Sequence, residues 1–513
     1  MATGVCDAME GHGGKSDMRD KGGLTVQALW LALASLMSMS VGIVTSMVLS
    51  RLLDQTEYGT YRQVIYVYYT LLMVFSLGLP KAYSYFLARM PLSEGRAAVR
   101  KLNLLFICLA SAFSALLFFG AGWIAQLLGN PLLEDNLRYF SVTPMLLMPV
   151  LGVENILTVY GMSEKVVLYT FISRSFTILC TVLSVVFVGA TASVAVCGFV
   201  LYSAATCAVG LRLSYLPFRG TVQKDSGLGL KEIFHFSWPV FTSGIYGFVI
   251  SSASQFFVSR YFGVGDFAVF ANGYHELPFA GMIIGATSSV LLPKFSKMSG
   301  EGAPSASFMD LWKSVVFKSL AIIWPLSVFS CIFADDIICF MYGDAYAASA
   351  DLFRIVTLVS LVRIVPGSAI MLALGKGREF SRAHLFTAVA LVSLDALCVR
   401  YFPSLTGIAF ISTFTTCMCI IIIMRVIVRS LGASLADIMP WNDVLKMFVA
   451  ALAAGACSFF AVLAIDLTHH LANVAIGFAL FMPLYFFAAR LSGVDYSPLY
   501  APVVSYLRKN FRK

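Results

Sequence analysis

Six ionisable side chains stand deep inside long apolar stretches of this 513-residue chain, Glu154, Arg174, His275, Glu276, Arg363 and Asp395, while Lys81 lies within another close to its inner edge. At bilayer depth each is costly, so each needs a partner or a task. Arg174 and Glu154 fall at similar depth in successive stretches, and two readings stay open. They form an ion pair that fixes helix packing, or Arg174 lines a cavity and binds substrate phosphate. A guanidinium fork serves carboxylate and pyrophosphate equally well. Arg363 and Asp395 offer the same choice, and Pro366-Gly367 kinks the helix behind Arg363, freeing carbonyls to line a cavity. His275-Glu276, followed by Pro278, is the best candidate for coupled proton or cation movement, since an imidazole changes charge in the physiological pH range. The plain alternative is a packed polar pair bonded to Gln255. Arg51 and Arg260 end their apolar stretches at the outer surface, where they bind an anionic group or merely snorkel. Tyr66, Tyr68 and Tyr69 offer stacking faces to a ligand or pack internally. His469-His470 reads as a wet loop rather than a metal site. No Gly-rich phosphate loop, metal cluster or nucleophile–base pair is visible, so neither enzyme, cofactor nor metal is expected.

The elements that must position these groups follow from composition. The chain is 59% apolar and 12% charged, with a mean hydropathy of +0.83. A soluble domain carries about a quarter charged residues. Lipid is the alternative solvent, and roughly 20 apolar residues make one helical span. Fourteen such segments fall near 24–50, 61–88, 102–127, 138–161, 166–188, 192–212, 232–258, 267–293, 314–334, 352–374, 380–400, 405–428, 444–465 and 470–490. Short connections rich in breakers join them, among them Gly129-Asn130-Pro131 and Gly300 to Pro304. With a cytoplasmic N-terminus, only Arg51, Arg62, Arg138, Arg260, Arg354 and Arg400 of the 36 Lys and Arg fall in outer loops. The positive-inside bias therefore puts both termini in the cytoplasm and makes the net charge of +9 a matter of topology rather than nucleic-acid binding. Residues 1–23 are polar and Gly-rich, and the first apolar segment exceeds the about 7–15 residues of a signal peptide's core, so it should insert and stay. The eleven cysteines lie mostly in apolar segments without metal-like spacing and read as small packing residues.

An internal repeat orders the spans. VLSRLLDQTEYGTY at 48–61 aligns without a gap on FVSRYFGVGDFAVF at 257–270, matching Ser50-Arg51 with Ser259-Arg260 and Glu57 with Asp266. TVYGMSEK at 158–165 echoes LALGKGRE at 372–379. Spans 1–6 and 7–12 thus read as duplicated bundles of the same orientation, related by an axis along the membrane normal.

Ser50-Arg51-Leu52-Leu53 followed by Glu57-Tyr58-Gly59-Thr60-Tyr61, together with LLPKFSKM at 291–298 and LALGKGRE at 372–379, resembles the polysaccharide flippase family. That family belongs to the superfamily of multidrug and toxin extruders and the lipid II flippase. The resemblance implies an all-α polytopic membrane protein of about fourteen helices. Its expected parts are a cytoplasmic N-terminus (1–23), six-helix bundles at 24–230 and 231–430, an extra helix pair (431–490) and a basic tail (491–513). It further implies transport of undecaprenyl-diphosphate-linked repeat units across the bacterial inner membrane, with lipids and polysaccharide assembly proteins as partners. In that reading Arg51, Arg174, Arg260 and Arg363 meet substrate, His275 and Glu276 couple transport, and Glu154 and Asp395 are ion-pair partners. Alternatives are a drug or toxin antiporter, a lipid II flippase and, from another class, a polysaccharide polymerase or ligase. The last is disfavoured by the short acidic outer loop at 335–351.

Overall fold

The computed structural model describes residues 24–222, 224–300, 304–364, 367–434, 439–465 and 468–496. The N-terminus 1–23, most of the basic tail and Pro366 lie outside the described residues. Among those described, every regular element is helical. Membrane-depth backbone leaves little choice, since a helix satisfies its own N–H and C=O groups where water is absent.

In chain order the helices are α1 (Leu24–Leu52), α2 (Gln55–Ser76), α3 (Pro80–Leu87), α4 (Leu92–Phe119), α5 (Ala121–Leu127), α6 (Leu133–Phe140), α7 (Thr143–Leu147) and α8 (Val153–Val159). Then come α9 (Ser163–Phe187), α10 (Ala192–Ser214), α11 (Leu230–Tyr261), α12 (Val264–Gly273), α13 (Pro278–Gly300), α14 (Ser305–Ile332) and α15 (Ala334–Tyr342). The last are α16 (Ser349–Val362), α17 (Gly367–Ala373), α18 (Gly377–Tyr401), α19 (Leu405–Ser430), α20 (Trp441–Ile465) and α21 (His470–Leu491). Among the described residues nine stretches are continuous and apolar enough to cross a membrane, and two bent pairs raise this to eleven. The other three expected spans are α1 and two broken pairs, α12/α13 and α16/α17. Phe119, Phe187 and Phe402 stand almost wholly exposed, as lipid-facing side chains do.

The helix boundaries carry the repeat. α1 ends at Leu52 and α11 at Tyr261, while α2 starts at Gln55 and α12 at Val264. At the second joint, α8 ends at Val159 and α17 at Ala373, and α9 and α18 start at Ser163 and Gly377. Gly161 and Gly375, aligned in that echo, share nearly the same left-handed backbone at φ 71° and 70°. Nothing lies within 4 Å of a Cβ added at Gly375. Gly375→Ala is therefore expected to cost only backbone strain, about 1–2 kcal/mol, read as a melting temperature lowered by a few degrees in detergent. An unchanged melt would remove the turn from the list of local determinants.

The chain divides into two compact units: unit 1 takes residues up to 52, 64–124 and 132–242; unit 2 takes 53–63, 125–131 and 243 onward. In unit 1, Tyr83 is buried, stacks on Phe106 and donates to Asn103 Oδ1. In unit 2, Phe329, Phe333, Phe481 and Tyr485 form an aromatic column that joins α14 to α21. The extra helix pair is thereby built into unit 2.

Candidate functional site

Two spans of unit 2 are interrupted, and the interruptions deliver charge to one cavity. α12 ends at Gly273 and α13 restarts only at Pro278, leaving Tyr274-His275-Glu276-Leu277 outside helix. Proline opens α13 because its missing N–H is unneeded at a helix start. α16 stops at Val362, and Arg363 turns out of the helix at ψ 82° as its C-cap. Non-helical backbone at membrane depth persists only where protein or a water-filled cavity receives its polar groups. Here both hold. Arg363 Nη1 donates to Glu276 Oε2 at 2.5 Å, beside a cavity of about 520 Å³ that Ser251, Gln255, His275, His384 and Thr416 also line. That volume falls within the roughly 300–1,000 Å³ of small-molecule sites.

The pairing corrects one expectation. Arg363 meets Glu276 rather than Asp395. Asp395 is fully buried on α18 and accepts from Ser254 Oγ at 2.8 Å, while its Oδ1 is buried without a donor among the described residues. The break in span 8 explains the exchange of partners, since it swings Glu276 to the end of α16. His275 is likewise not held by Gln255, which donates to the Ser251 carbonyl instead. Its Nε2 faces Arg62 Nη2 at 3.2 Å.

Arg62 was missed in the sequence, where it looked like another surface arginine. Its Nη2 also donates to the Ala271 carbonyl at 2.7 Å, capping the unsatisfied end of α12, where a cation is favoured. One turn earlier, Tyr58 donates to Asn272 Oδ1 at 2.7 Å in a buried contact. The legible signal was this four-residue spacing on the face of the repeat that carries Tyr58. Further along, Gln63 donates to Ser259 Oγ at 2.8 Å and accepts from Asn130 Nδ2 at 2.6 Å. The two copies of the repeat are thus laced together inside unit 2.

Comparison with known proteins sets this geometry in a family. Residues 48–351, more than half of the chain, match the family described as polysaccharide biosynthesis protein. The chain belongs to that family. Among curated proteins none matches it by sequence. Its fold is similar to that of the lipid II flippase MurJ in an inward closed conformation, at a TM-score of 0.64 and 14% identity over 94% of this chain and 100% of that one. An inward-facing multidrug resistance MATE family transporter gives 0.59 and 15% over 81% and 97%. A MOP superfamily transporter from Pyrococcus furiosus gives 0.56 and 15% over 79% and 95%.

In this polysaccharide biosynthesis family member the other expected residues fall as follows. In unit 1 the Glu154–Arg174 pair is not formed among the described residues: Glu154 Oε1 accepts from Thr170 Oγ1 at 3.3 Å, and Arg174 Nε donates to Ser38 Oγ at 3.4 Å. Both stay on one hairpin, but α8 spans only seven residues and presents Glu154 in its first turn. Tyr68 is buried against Phe113 and Phe140 and packs rather than opening to solvent. Arg51 is exposed at the end of α1. Arg260 is also exposed, and its Nη1 donates to the Gln126 carbonyl at 3.1 Å, holding segment 125–131. Among the described residues all cysteines are free thiols.

Proposed function

We propose that this polysaccharide biosynthesis protein flips undecaprenyl-diphosphate-linked oligosaccharide repeat units across the bacterial inner membrane by alternating access. The observation that carries the reading is the Arg363–Glu276 pair, mounted on two broken spans beside a cavity whose largely apolar wall carries a few polar groups, among them Ser251, Gln255 and His384. A guanidinium has five N–H donors, so a carboxylate on Nη1 leaves further donors for phosphate oxygens. Glu276 holds the cation in place when the cavity is empty, and a diphosphate entering from the lipid replaces it. Charge-assisted contacts offset part of the headgroup's desolvation, while the polyprenyl tail stays in the bilayer. Arg174, whose guanidinium makes a long 3.4 Å contact to Ser38 Oγ among the described residues, supplies a second cation at depth in unit 1. Substrate shifts the two access states only through differential affinity, so net movement runs on a gradient, the membrane potential or removal of product by assembly proteins. His275 and Glu276 are the groups through which a coupled proton would act.

A second reading, extrusion of organic cations, draws on Glu276 and on the buried, half-satisfied carboxylate of Asp395. Transport in proteoliposomes separates the two, with a fluorescent polyprenyl-diphosphate-glycan and a cationic dye followed in parallel. The flippase reading expects glycan movement that weakens in Arg174→Ala. Dye movement without glycan movement would replace it with the extruder.

A further inference from the structure

Apart from the cavity, unit 2 gathers a second set of reactive side chains where the segment after α14 meets the start of α21. Cys339 on α15, Asp344 in the turn that follows and His470 at the first position of α21 place a thiol sulfur, a carboxylate oxygen and an imidazole nitrogen within 4.8 Å of one another. We propose that these three side chains bind a zinc-class divalent metal in a tetrahedral site completed by water, tying α15 to the extra helix pair.

The donor types are the first argument. Thiolate, imidazole and carboxylate are together the ligand set of Zn²⁺, and three protein ligands with an open fourth position form a recognised arrangement. Bonds of about 2.0–2.3 Å put tetrahedral ligands about 3.3–3.8 Å apart. The present cluster therefore closes by about 1 Å on loading, within the reach of side-chain rotation.

The surroundings of His470 are the second argument. Its Nδ1 is 2.8 Å from Asp336 Oδ1, and the same oxygen accepts from Asn473 Nδ2 at 2.9 Å. A carboxylate on one ring nitrogen fixes the tautomer and directs the lone pair of the other outward, as outer-shell carboxylates do for metal-bound histidines. The directed atom is Nε2, which faces Asp344 Oδ1 at 3.2 Å. Two acceptors at that distance repel unless a proton or a metal lies between them.

Charge is the third. Asp335 is paired with Arg354, which also holds Asp351 at 2.8 Å, so Asp336 and Asp344 are the acids left to His470 and the thiol. A dication balances the negative charge of these two carboxylates. The backbone contributes as well: Gly343, at φ 91°, reverses the chain between Cys339 and Asp344 and returns the carboxylate towards the thiol.

The test uses the full-length protein in detergent, purified without a polyhistidine tag, with Co²⁺ as the probe. One equivalent of cobalt should produce a thiolate-to-metal charge-transfer band and a raised melting temperature, and Zn²⁺ should displace it. Cys339→Ser should abolish the band, and His470→Gln should weaken binding. Asp336→Asn, which leaves all three ligands in place, should weaken binding about 10–100-fold. Cys457→Ser, at an exposed cysteine elsewhere, should change nothing. Absence of a charge-transfer band in the parent protein would overturn the proposal, whatever the variants do. So would a band of equal strength in Cys339→Ser. Glycan transport is read separately, so failure here leaves the transport reading standing.

Discussion

Replacing Arg363 with alanine is expected to reduce lipid-linked glycan flipping about a hundredfold or more in proteoliposomes of matched protein content. Hydrogen bonds to charged groups contribute about 1.5–3 kcal/mol each, so losing two such contacts to a diphosphate accounts for that factor. Truncation also strands the Glu276 carboxylate beside the cavity, a second cost that partial solvent exposure screens. The pair is about one-third exposed on the arginine side, so the second effect is the smaller one. Glu276→Gln separates them, because it keeps the guanidinium and only neutralises its partner. Downhill flipping, which needs no proton coupling, should survive in Glu276→Gln and stay lost in the double variant Arg363→Ala/Glu276→Gln. Recovery in the double variant would show that Arg363 serves only to neutralise Glu276, and would remove it from the substrate's path. Arg363→Lys should be intermediate, since an ammonium keeps the charge but not the planar fork.

The placement of the spans was legible because hydropathy is a local property, summed over neighbouring residues in one solvent. Among the described residues the fourteen apolar segments fall on single helices or on runs of two or three broken ones, and the gapless repeat at 48–61 and 257–270 recurs as matched helix ends. Partner choice was not local. Depth along a span put Arg363 level with Asp395, but the unwound residues after Gly273 brought Glu276 to it instead. Pro278 and Pro366-Gly367 marked the interruptions without giving the direction in which the chain leaves them. Glu154 and Arg174 failed as a pair for a related reason: shared depth does not make two residues share a face. His470 looked solvated because Asp336 and Asp344 stand more than a hundred positions earlier in the chain. Contacts of that separation leave no trace in periodicity.

The joint between the repeats should be the most fragile point of unit 2. A Cβ at position 59 would overlap the Val264 carbonyl oxygen and lie 2.8 Å from Val264 Cγ1. Gly59 starts the second turn of α2 where the first residue of α12 crosses it, so only a glycine permits the approach. Around that contact Tyr58, Arg62 and Gln63 bond Asn272, Ala271 and Ser259, and all three depend on the two backbones staying close. Gly59→Ala is expected to cost about 1–3 kcal/mol, the range for overpacking, and to lower the melting temperature by about 1–3 degrees in a chain of this length. Gly59→Val should prevent accumulation of folded protein, read by fluorescence-detected size exclusion. The double variant Gly59→Ala/Val264→Ala tells which atom matters. Shortening Val264 removes the Cγ1 contact but leaves the carbonyl oxygen, which belongs to the backbone and moves only if α12 moves. Partial rescue is therefore expected. Full rescue would place the conflict in the Val264 side chain, and an unchanged melt in Gly59→Ala would mean that the two helix starts have room to separate.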